Sequence, residues 1–87
     1  MLFRSTSEVE ALKVGALVEE VDIADLQARK TSKADINLVY QNLERGSRNH
    51  LRSFVSNLRS RGVTYTPSQL PAAEFNQIVG GAIERGQ

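Results

Sequence analysis

The stretch Ile36–Arg61 constrains the fold of this chain more than any other. Apolar residues recur in it at steps of three and four, and the same row takes in a serine and a histidine. The row consists of Ile36, Tyr40, Leu43, Ser47, His50, Phe54 and Leu58. This spacing puts the row on one face of an α-helix, so a helix is predicted over about 35–61. His50, the one histidine of the chain, is therefore expected to point toward the core.

A long helix is also predicted upstream, over about 8–29. Ser7 and Glu10 have the spacing of a capping box at its start. The helix has two apolar rows instead of one, which indicates burial on two sides. The rows are Val9, Leu12, Ala16, Glu19, Ile23 and Leu26, and Val14, Leu17, Val21, Ala24 and Ala28. One row is expected to pack on the second helix and the other on a partner chain.

Short links complete the predicted architecture, a single helical domain over 1–87. The turn Thr31–Lys33 makes the two helices antiparallel neighbours, with Ser32 placed to cap the second. Gly62 is expected to end that helix. An extended stretch over 63–70 then leads to a short helix over about 71–79, which begins at Pro71. Residues 82–87 are predicted to form a frayed tail.

Composition limits the class of protein. The chain has 87 residues and a net charge of +1, enough for one small domain and too balanced for a basic nucleic-acid arm. It has no cysteine, which excludes disulfides and thiolate zinc sites and agrees with a reducing cytoplasm. No stretch contains the roughly 18 apolar residues of a membrane span. Small domains often gain stability by oligomerisation, so a homodimer is expected.

Two polar residues in the apolar rows are candidates for chemistry. If the hairpin turns near Ser32, Glu19 lies level with Arg45 and within about a turn and a half of His50. A carboxylate and an imidazole in a bundle core can ligate a transition metal, or they can form a buried charge-assisted hydrogen bond. The adjacent Glu20 falls on a polar side of the helix and is expected to be solvated.

A row of arginines lies roughly opposite the apolar row of the second helix. Its members are Arg45, Arg48, Arg52 and Arg59. Such a row can bind the phosphates of a nucleic acid, or it can be a solvated face that pairs with the acidic first helix. We favour the second interpretation, because no aromatic residue interleaves with the arginines to stack bases. The chain has no glycine-rich phosphate loop and no Ser/His/Asp set, so no catalytic residue is assigned.

Three segments carry a family resemblance. They are Leu12–Leu26 (LKVGALVEEVDIADL), Asn42–Leu58 (NLERGSRNHLRSFVSNL) and Thr64–Leu70 (TYTPSQL), with RGSRNHLRSF the most specific run. Together they resemble the C-terminal half of a prokaryotic ferritin-like family of unknown function, domain of unknown function 2202. The resemblance implies an all-α fold, an antiparallel helical hairpin plus a short C-terminal helix. Homodimerisation would complete a ferritin-like four-helix bundle.

The resemblance also implies a metal site. In ferritin-like di-iron proteins each hairpin offers a glutamate on one helix and Glu-x-x-His on the next. Glu19 or Glu20 takes the first place here, with Glu19 favoured, and His50 takes the second, with Ser47 standing at the carboxylate position. The expected ligands are thus Glu19, His50 and Glu20, and the expected ion is iron, manganese or zinc.

The resulting functional hypothesis is a ferritin-like module that binds a transition metal through a Glu/His layer in the bundle core. The alternative is a non-catalytic homodimeric interaction module without metal. If the protein has an enzymatic activity, the resemblance points to a metal-dependent oxidoreductase of the ferritin-like type.

Overall fold

The computed structural model describes residues 2–31 and 33–85. It contains three helices, α1 (Leu2–Ala28), α2 (Ala34–Ser60) and α3 (Ala72–Val79). No strand occurs in the described residues, so the prediction of an all-α fold is confirmed. α1 and α2 form an antiparallel hairpin, and α3 packs beside α2. None of these helices combines the length and the apolar composition needed to cross a membrane, within the described ranges.

α1 begins earlier than the sequence indicated. Its first residue is Leu2, so Ser7 lies inside the helix and does not cap it. The reason is that the first 14 residues contain neither proline nor glycine, and nothing in their backbone interrupts a helix.

The turn between the helices is organised by Asn37, in the first turn of α2. Its Oδ1 accepts a hydrogen bond from the backbone N–H of Thr31 at 2.9 Å, and its Nδ2 donates to the carbonyl of Thr31. One amide side chain thereby satisfies both main-chain groups of a turn residue. The predicted cap, Ser32, lies outside the described residues.

α2 ends at a left-handed glycine, as the sequence indicates. Gly62 has φ of 75°. Its N–H donates to the carbonyl of Arg59 at 2.9 Å, and the N–H of Val63 donates to the carbonyl of Leu58 at 3.0 Å. These two bonds define a Schellman motif, which satisfies carbonyls that would otherwise be unpaired at the helix end.

The core lies between the two long helices and the segment that follows them. Its buried members are Ala16, Ile23, Leu51, Val55, Leu70, Phe75 and Ile78. The predicted buried face of α2 is partly correct. Ser47 and Leu58 are buried as expected, but Leu51 and Val55 are buried in place of Ile36 and Leu43, which are exposed. The residues after α2 cover one flank of the hairpin, and this draws the core toward that flank.

The last part of the chain lies against α2. α3 begins after Pro71, close to the predicted position, and buries Phe75 and Ile78. Residues 80–85 then run back along α2, where Glu84 is held by Arg48 and Asn49. Residues 86 and 87 lie outside the described part of the chain.

Several large apolar side chains remain exposed on the hairpin. Those of α1 are Val14, Leu17, Val18 and Val21, and those of α2 are Ile36, Leu38, Val39 and Leu43. The spacing of the α1 group is that of one helix face, which matches the second apolar row of the sequence. A continuous row of this kind is unusual on a surface that meets only water.

Candidate functional site

Glu19 and His50 face each other across the two long helices. Nδ1 of His50 is 3.5 Å from Oε2 of Glu19, so the predicted pair is brought together. The Glu19 side chain is 14% exposed and the His50 side chain 67%. His50 therefore lies at the rim of the helix interface, and the expectation that it points into the core is corrected. The displaced core explains this position, since Leu51 takes the buried place.

The register of the hairpin also differs from the prediction. Glu19 was expected level with Arg45, but it meets His50, more than one turn farther along α2. Side chains on an α-helix lean toward its N-terminus. In an antiparallel hairpin, α1 side chains therefore lean away from the turn and α2 side chains lean toward the turn. An α1 side chain thus meets the side chain of an α2 residue whose backbone lies farther from the turn. Contacts consequently form farther from the turn than the backbone levels suggest.

The second oxygen of Glu19 is buried and unpaired. Its Oε1 has no hydrogen-bond partner within the described residues. A buried acceptor without a donor is costly, so this oxygen is a position where a further ligand would be stabilising.

A groove of about 490 Å³ opens beside the pair. All of its walls come from α1 and α2, on the flank that the C-terminal segment does not cover. The lining residues are Glu19, Asp22, Asp25, Leu26, Asn42, Leu43, Gly46, Ser47 and His50. The carboxylates all belong to α1, and Gly46 and Ser47 leave room on the α2 side.

Glu20 lies elsewhere and is fully buried, at 0% exposure. Its Oε1 accepts backbone N–H bonds from Ser68, Gln69 and Leu70 at 3.1, 2.9 and 3.0 Å. Its Oε2 accepts the hydroxyl of Tyr65 at 2.5 Å. The expectation that Glu20 is solvated was wrong. Both of its oxygens are engaged by the loop, on a different side of α1 from the Glu19–His50 groove.

Tyr65 is tied to the same carboxylate. Burial raises the pKa of the Tyr65 phenol, and its hydrogen bond to Glu20 raises the pKa further. The raised pKa favours the protonated phenol, which donates the hydrogen bond to Glu20. Its ring also packs near that of Phe75, with centroids 5.8 Å apart.

A third cluster joins α2 to the C-terminal segment. Arg48, Asn49 and Arg52 surround Glu84, and the hydrogen bonds from Arg48 are the main reason that the pKa of Glu84 falls to about 2. Two of the four predicted arginines are therefore used internally. This finding weakens the nucleic-acid hypothesis, because Arg48 and Arg52 do not offer a free basic face. Sequence reasoning missed Glu84, which lies in the part expected to fray.

The number of metal ligands on one chain is limited. Within residues 2–31 and 33–85, no group of three or more His, Cys, Asp or Glu side chains is placed to hold an ion. Glu19 and His50 provide two donors of the kinds that iron, manganese and zinc accept. Tetrahedral zinc sites have four ligands, so a single copy supplies half of such a set.

Most of the chain matches the model of one protein family. The model of an uncharacterized protein domain, DUF2202, matches residues 1–82. The chain belongs to the DUF2202 family. A relative in this family is the uncharacterized protein MJ0754 of Methanocaldococcus jannaschii, which is 50% identical over 82 residues, or 92% of this chain.

The fold of that relative is similar as well. The crystal structure of the hypothetical protein MJ0754 from Methanococcus jannaschii DSM 2661 matches with a TM-score of 0.83 at 47% identity over 87% of this chain. The chain spans less than half of the relative, 44% of its sequence and 45% of its crystallised chain. The resemblance to this domain of unknown function is thus confirmed, and the relative carries additional polypeptide outside the match.

Proposed function

We propose that this chain is a ferritin-like half-bundle that dimerises through its open groove and binds a transition metal between the two copies. The observation that carries the proposal is the Glu19–His50 pair, which has an unpaired buried oxygen and opens onto the groove. A two-fold dimer over this groove would bring together two glutamates and two histidines. Four such donors suit zinc, iron or manganese.

The proposed ligands are Glu19 and His50. Glu20, also expected as a ligand, has both oxygens occupied by the loop over 65–70, and its proposed role is structural. A bound metal would supply Lewis-acid or redox chemistry. In this proposal Glu19 and His50 hold the ion, while the surrounding apolar side chains exclude water. The cytoplasmic location stays a prediction from the cysteine-free composition.

Exposed apolar residues support the dimer. Leu43 lines the groove, and Val18 and Val39 are exposed on the same hairpin. Burying such residues stabilises a complex by about 25 cal/mol of free energy per Å² of apolar surface removed from water. MJ0754 carries additional polypeptide outside the match. In this proposal a second copy of the chain covers the open surface.

Metal analysis of the purified protein tests the site. Protein prepared without chelator is expected to contain about one transition-metal ion per two chains, measured by elemental analysis. Glu19→Gln and His50→Ala should lose the ion because each removes a donor. Glu10→Gln is the matched control, since Glu10 is an exposed carboxylate on the same helix, and it should retain the metal. Metal-free wild-type protein, or metal retained by both site variants, would contradict the assignment.

Light scattering tests the dimer separately. Leu43→Glu should convert the dimer to a monomer, because it places a charge in the groove. Leu38→Glu is the matched control, since Leu38 is exposed to a similar extent, 58% against 54%, and lies about 140° away around α2. A wild-type monomer, or equal effects of the two variants, would count against the groove as the dimer interface.

A second candidate is an interaction module without metal. It is favoured by the exposed apolar side chains of the hairpin, which call for a partner surface and not for an ion. The same two experiments separate the candidates. If the protein is a metal-free dimer and Leu43→Glu dissociates it, the result supports the interaction module and not the metal site. Retention on heparin at low salt would instead revive the nucleic-acid hypothesis.

A further inference from the structure

Three residues of one turn of α2 form a clasp around Glu84. The clasp consists of Arg48, Asn49 and Arg52. Nε and Nη2 of Arg48 donate to the two carboxylate oxygens of Glu84 at 2.6 and 2.7 Å, and Nη1 of Arg52 lies 2.8 Å from Oε2. This side-on, two-point geometry is the strong form of an arginine–carboxylate contact. The clasp therefore recognises the side chain of an acidic residue.

The clasp also recognises the main chain of the same residue. Nδ2 of Asn49 donates to the carbonyl of Glu84 at 2.8 Å, and Oδ1 of Asn49 accepts the N–H of Glu84 at 2.8 Å. An amide side chain thus pairs with both main-chain groups of one residue, as a neighbouring strand does when it adds to an extended peptide. A free anion such as phosphate has no main-chain N–H and carbonyl placed beside a separate carboxylate. The geometry matches an acidic residue inside a peptide.

The clasp is held in place by contacts that do not involve Glu84. Arg52 donates through Nε to the carbonyl of Ile78 at 2.7 Å and through Nη1 to Oδ1 of Asn49 at 2.8 Å. Nη1 of Arg48 lies 3.3 Å from Oε2 of Glu44. The Arg52 side chain is only 10% exposed. These contacts organise the donors in advance, which reduces the entropy lost when a ligand binds.

Residues 80–85 form the segment beside the clasp, and Glu84 is the residue that binds in it. Residues Gly80 and Gly81 precede Glu84, and Ala82, Ile83 and Arg85 are exposed. The occupation of the clasp thus depends on the side chain and main chain of one residue and on a short tether, which raises the local concentration of that residue. A ligand of the same chemistry on another molecule competes with this tethered residue.

We infer that the clasp is a binding site for an acidic residue in an extended peptide of a partner protein, and that Glu84 is its internal competitor. The interaction is independent of the groove and of any metal. In the free protein Glu84 closes the site, and the partner peptide displaces residues 80–85 from α2. The surface so exposed lies on the flank opposite the Glu19–His50 groove.

Titration of the full chain by NMR tests the inference. The probe is the end-blocked hexapeptide GGAIER, which has the sequence of residues 80–85. Glu84→Ala should bind this peptide at least about tenfold more tightly than the wild type, because its clasp is not closed by a tethered carboxylate. The arginine Nε–H and asparagine side-chain amide signals report binding. The peptide GGAIQR, which lacks the charge, should bind about tenfold more weakly.

A second substitution separates peptide recognition from anion binding. Asn49→Ala in the Glu84→Ala chain should weaken peptide binding about tenfold by removing the main-chain contacts. Inorganic phosphate should not reproduce the signal changes of the asparagine amide. Glu84→Gln, which keeps the shape of residue 84, serves if Glu84→Ala loses helix content. Equal binding by wild type and both Glu84 variants, equal binding of the two peptides, or binding of phosphate alone would overturn the inference.

Discussion

Glu20 shows how one buried carboxylate can organise a loop. The residues Ser68, Gln69 and Leu70 present three consecutive N–H groups to it, and Tyr65 adds a hydroxyl. An unpaired N–H is costly where it is shielded from water, as at the buried Leu70, and here a helix side chain satisfies all three groups. The prolines at positions 67 and 71 flank the three donors and contribute no N–H of their own.

Replacing Glu20 should strongly destabilise the fold. Glu20→Ala removes a buried carboxylate that accepts from four donors, one of them the N–H of the buried Leu70, so a loss of about 3 kcal/mol in the free energy of unfolding is expected. Urea denaturation followed by circular dichroism measures this loss. Tyr65→Phe removes a single donor and should cost only about 1 kcal/mol. Similar small losses in both variants would show that Glu20 does not anchor the loop.

The two glutamates differ in how far the sequence could predict them. Glu19 lies in an apolar helix row and meets His50, and helical spacing together with the predicted antiparallel turn identified the pair. The donors to Glu20 lie 45 to 50 residues away, in a segment without periodicity. No pattern along α1 distinguishes a glutamate that is solvated from one that accepts loop amides. A polar residue between apolar rows, followed later by a proline-flanked loop, was the one available signal.

At the level of the helices, α1 and α2 approach closely at one glycine. A Cβ built on Gly15 would lie 2.6 Å from Cε1 of Phe54, well inside van der Waals contact. Gly15 is thus needed for the ring of Phe54 to pack against α1. Gly46 on the other helix has open space around the position of its Cβ. Of these two glycines, only Gly15 permits a close approach within the described part of the chain.

These two glycines make a matched pair for mutation. Gly46→Ala should raise the free energy of unfolding of the single chain by about 0.5–1 kcal/mol, because alanine favours a helix and meets no neighbour within that chain. Gly15→Ala should lower the free energy of unfolding by about 1 kcal/mol or more. The cost of the steric overlap with Phe54 is expected to be larger than the stabilisation that alanine gives a helix. Thermal or urea unfolding of both variants measures the difference.

A double-mutant cycle identifies the cause. In a Phe54→Ala background the overlap disappears, so Gly15→Ala should become neutral or stabilising. If Gly15→Ala is equally harmful in both backgrounds, the ring is not the reason for the glycine. A stabilising effect of Gly15→Ala in the wild type would contradict the close approach itself.

The whole molecule is a hairpin with one covered and one open flank. Residues 63–85 cover the first flank with Leu70, Phe75 and Ile78, and the Glu19–His50 groove opens on the other. The surplus apolar row on α1 allowed the sequence to predict that one chain does not cover all of its apolar surface. What covers the open side depends on contacts outside the chain, and no pattern within 87 residues specifies them.

Acid should weaken the attachment of the C-terminal segment. The folded-state pKa of Glu84 is about 2, below its usual value of 4.5, mainly because Arg48 donates hydrogen bonds to the carboxylate. A lowered pKa means that Glu84 stabilises the fold fully above pH about 4.5 and loses this contribution as the pH falls toward 2. The difference in unfolding free energy between wild type and Glu84→Gln should therefore shrink over this range.

Urea denaturation at several pH values measures that difference. Glu10→Gln, at an exposed position on α1, provides the reference for a carboxylate outside the clasp. A difference between wild type and Glu84→Gln that stays constant from pH 6 to pH about 2 would contradict the lowered pKa.

The loop that rests on Glu20 has a consequence for the exchange of backbone protons with solvent. Loop amides usually exchange quickly, but those of Ser68, Gln69 and Leu70 are bonded to a fully buried acceptor on α1. Their deuterium uptake should be slow and should match that of α1, because their protons are released only when the loop separates from the helix. Glu20→Ala should abolish this protection, whereas rapid uptake in the wild type would refute it. Slow uptake would show that the loop unfolds together with α1, so that the cooperative unit of the protein includes a segment without regular secondary structure.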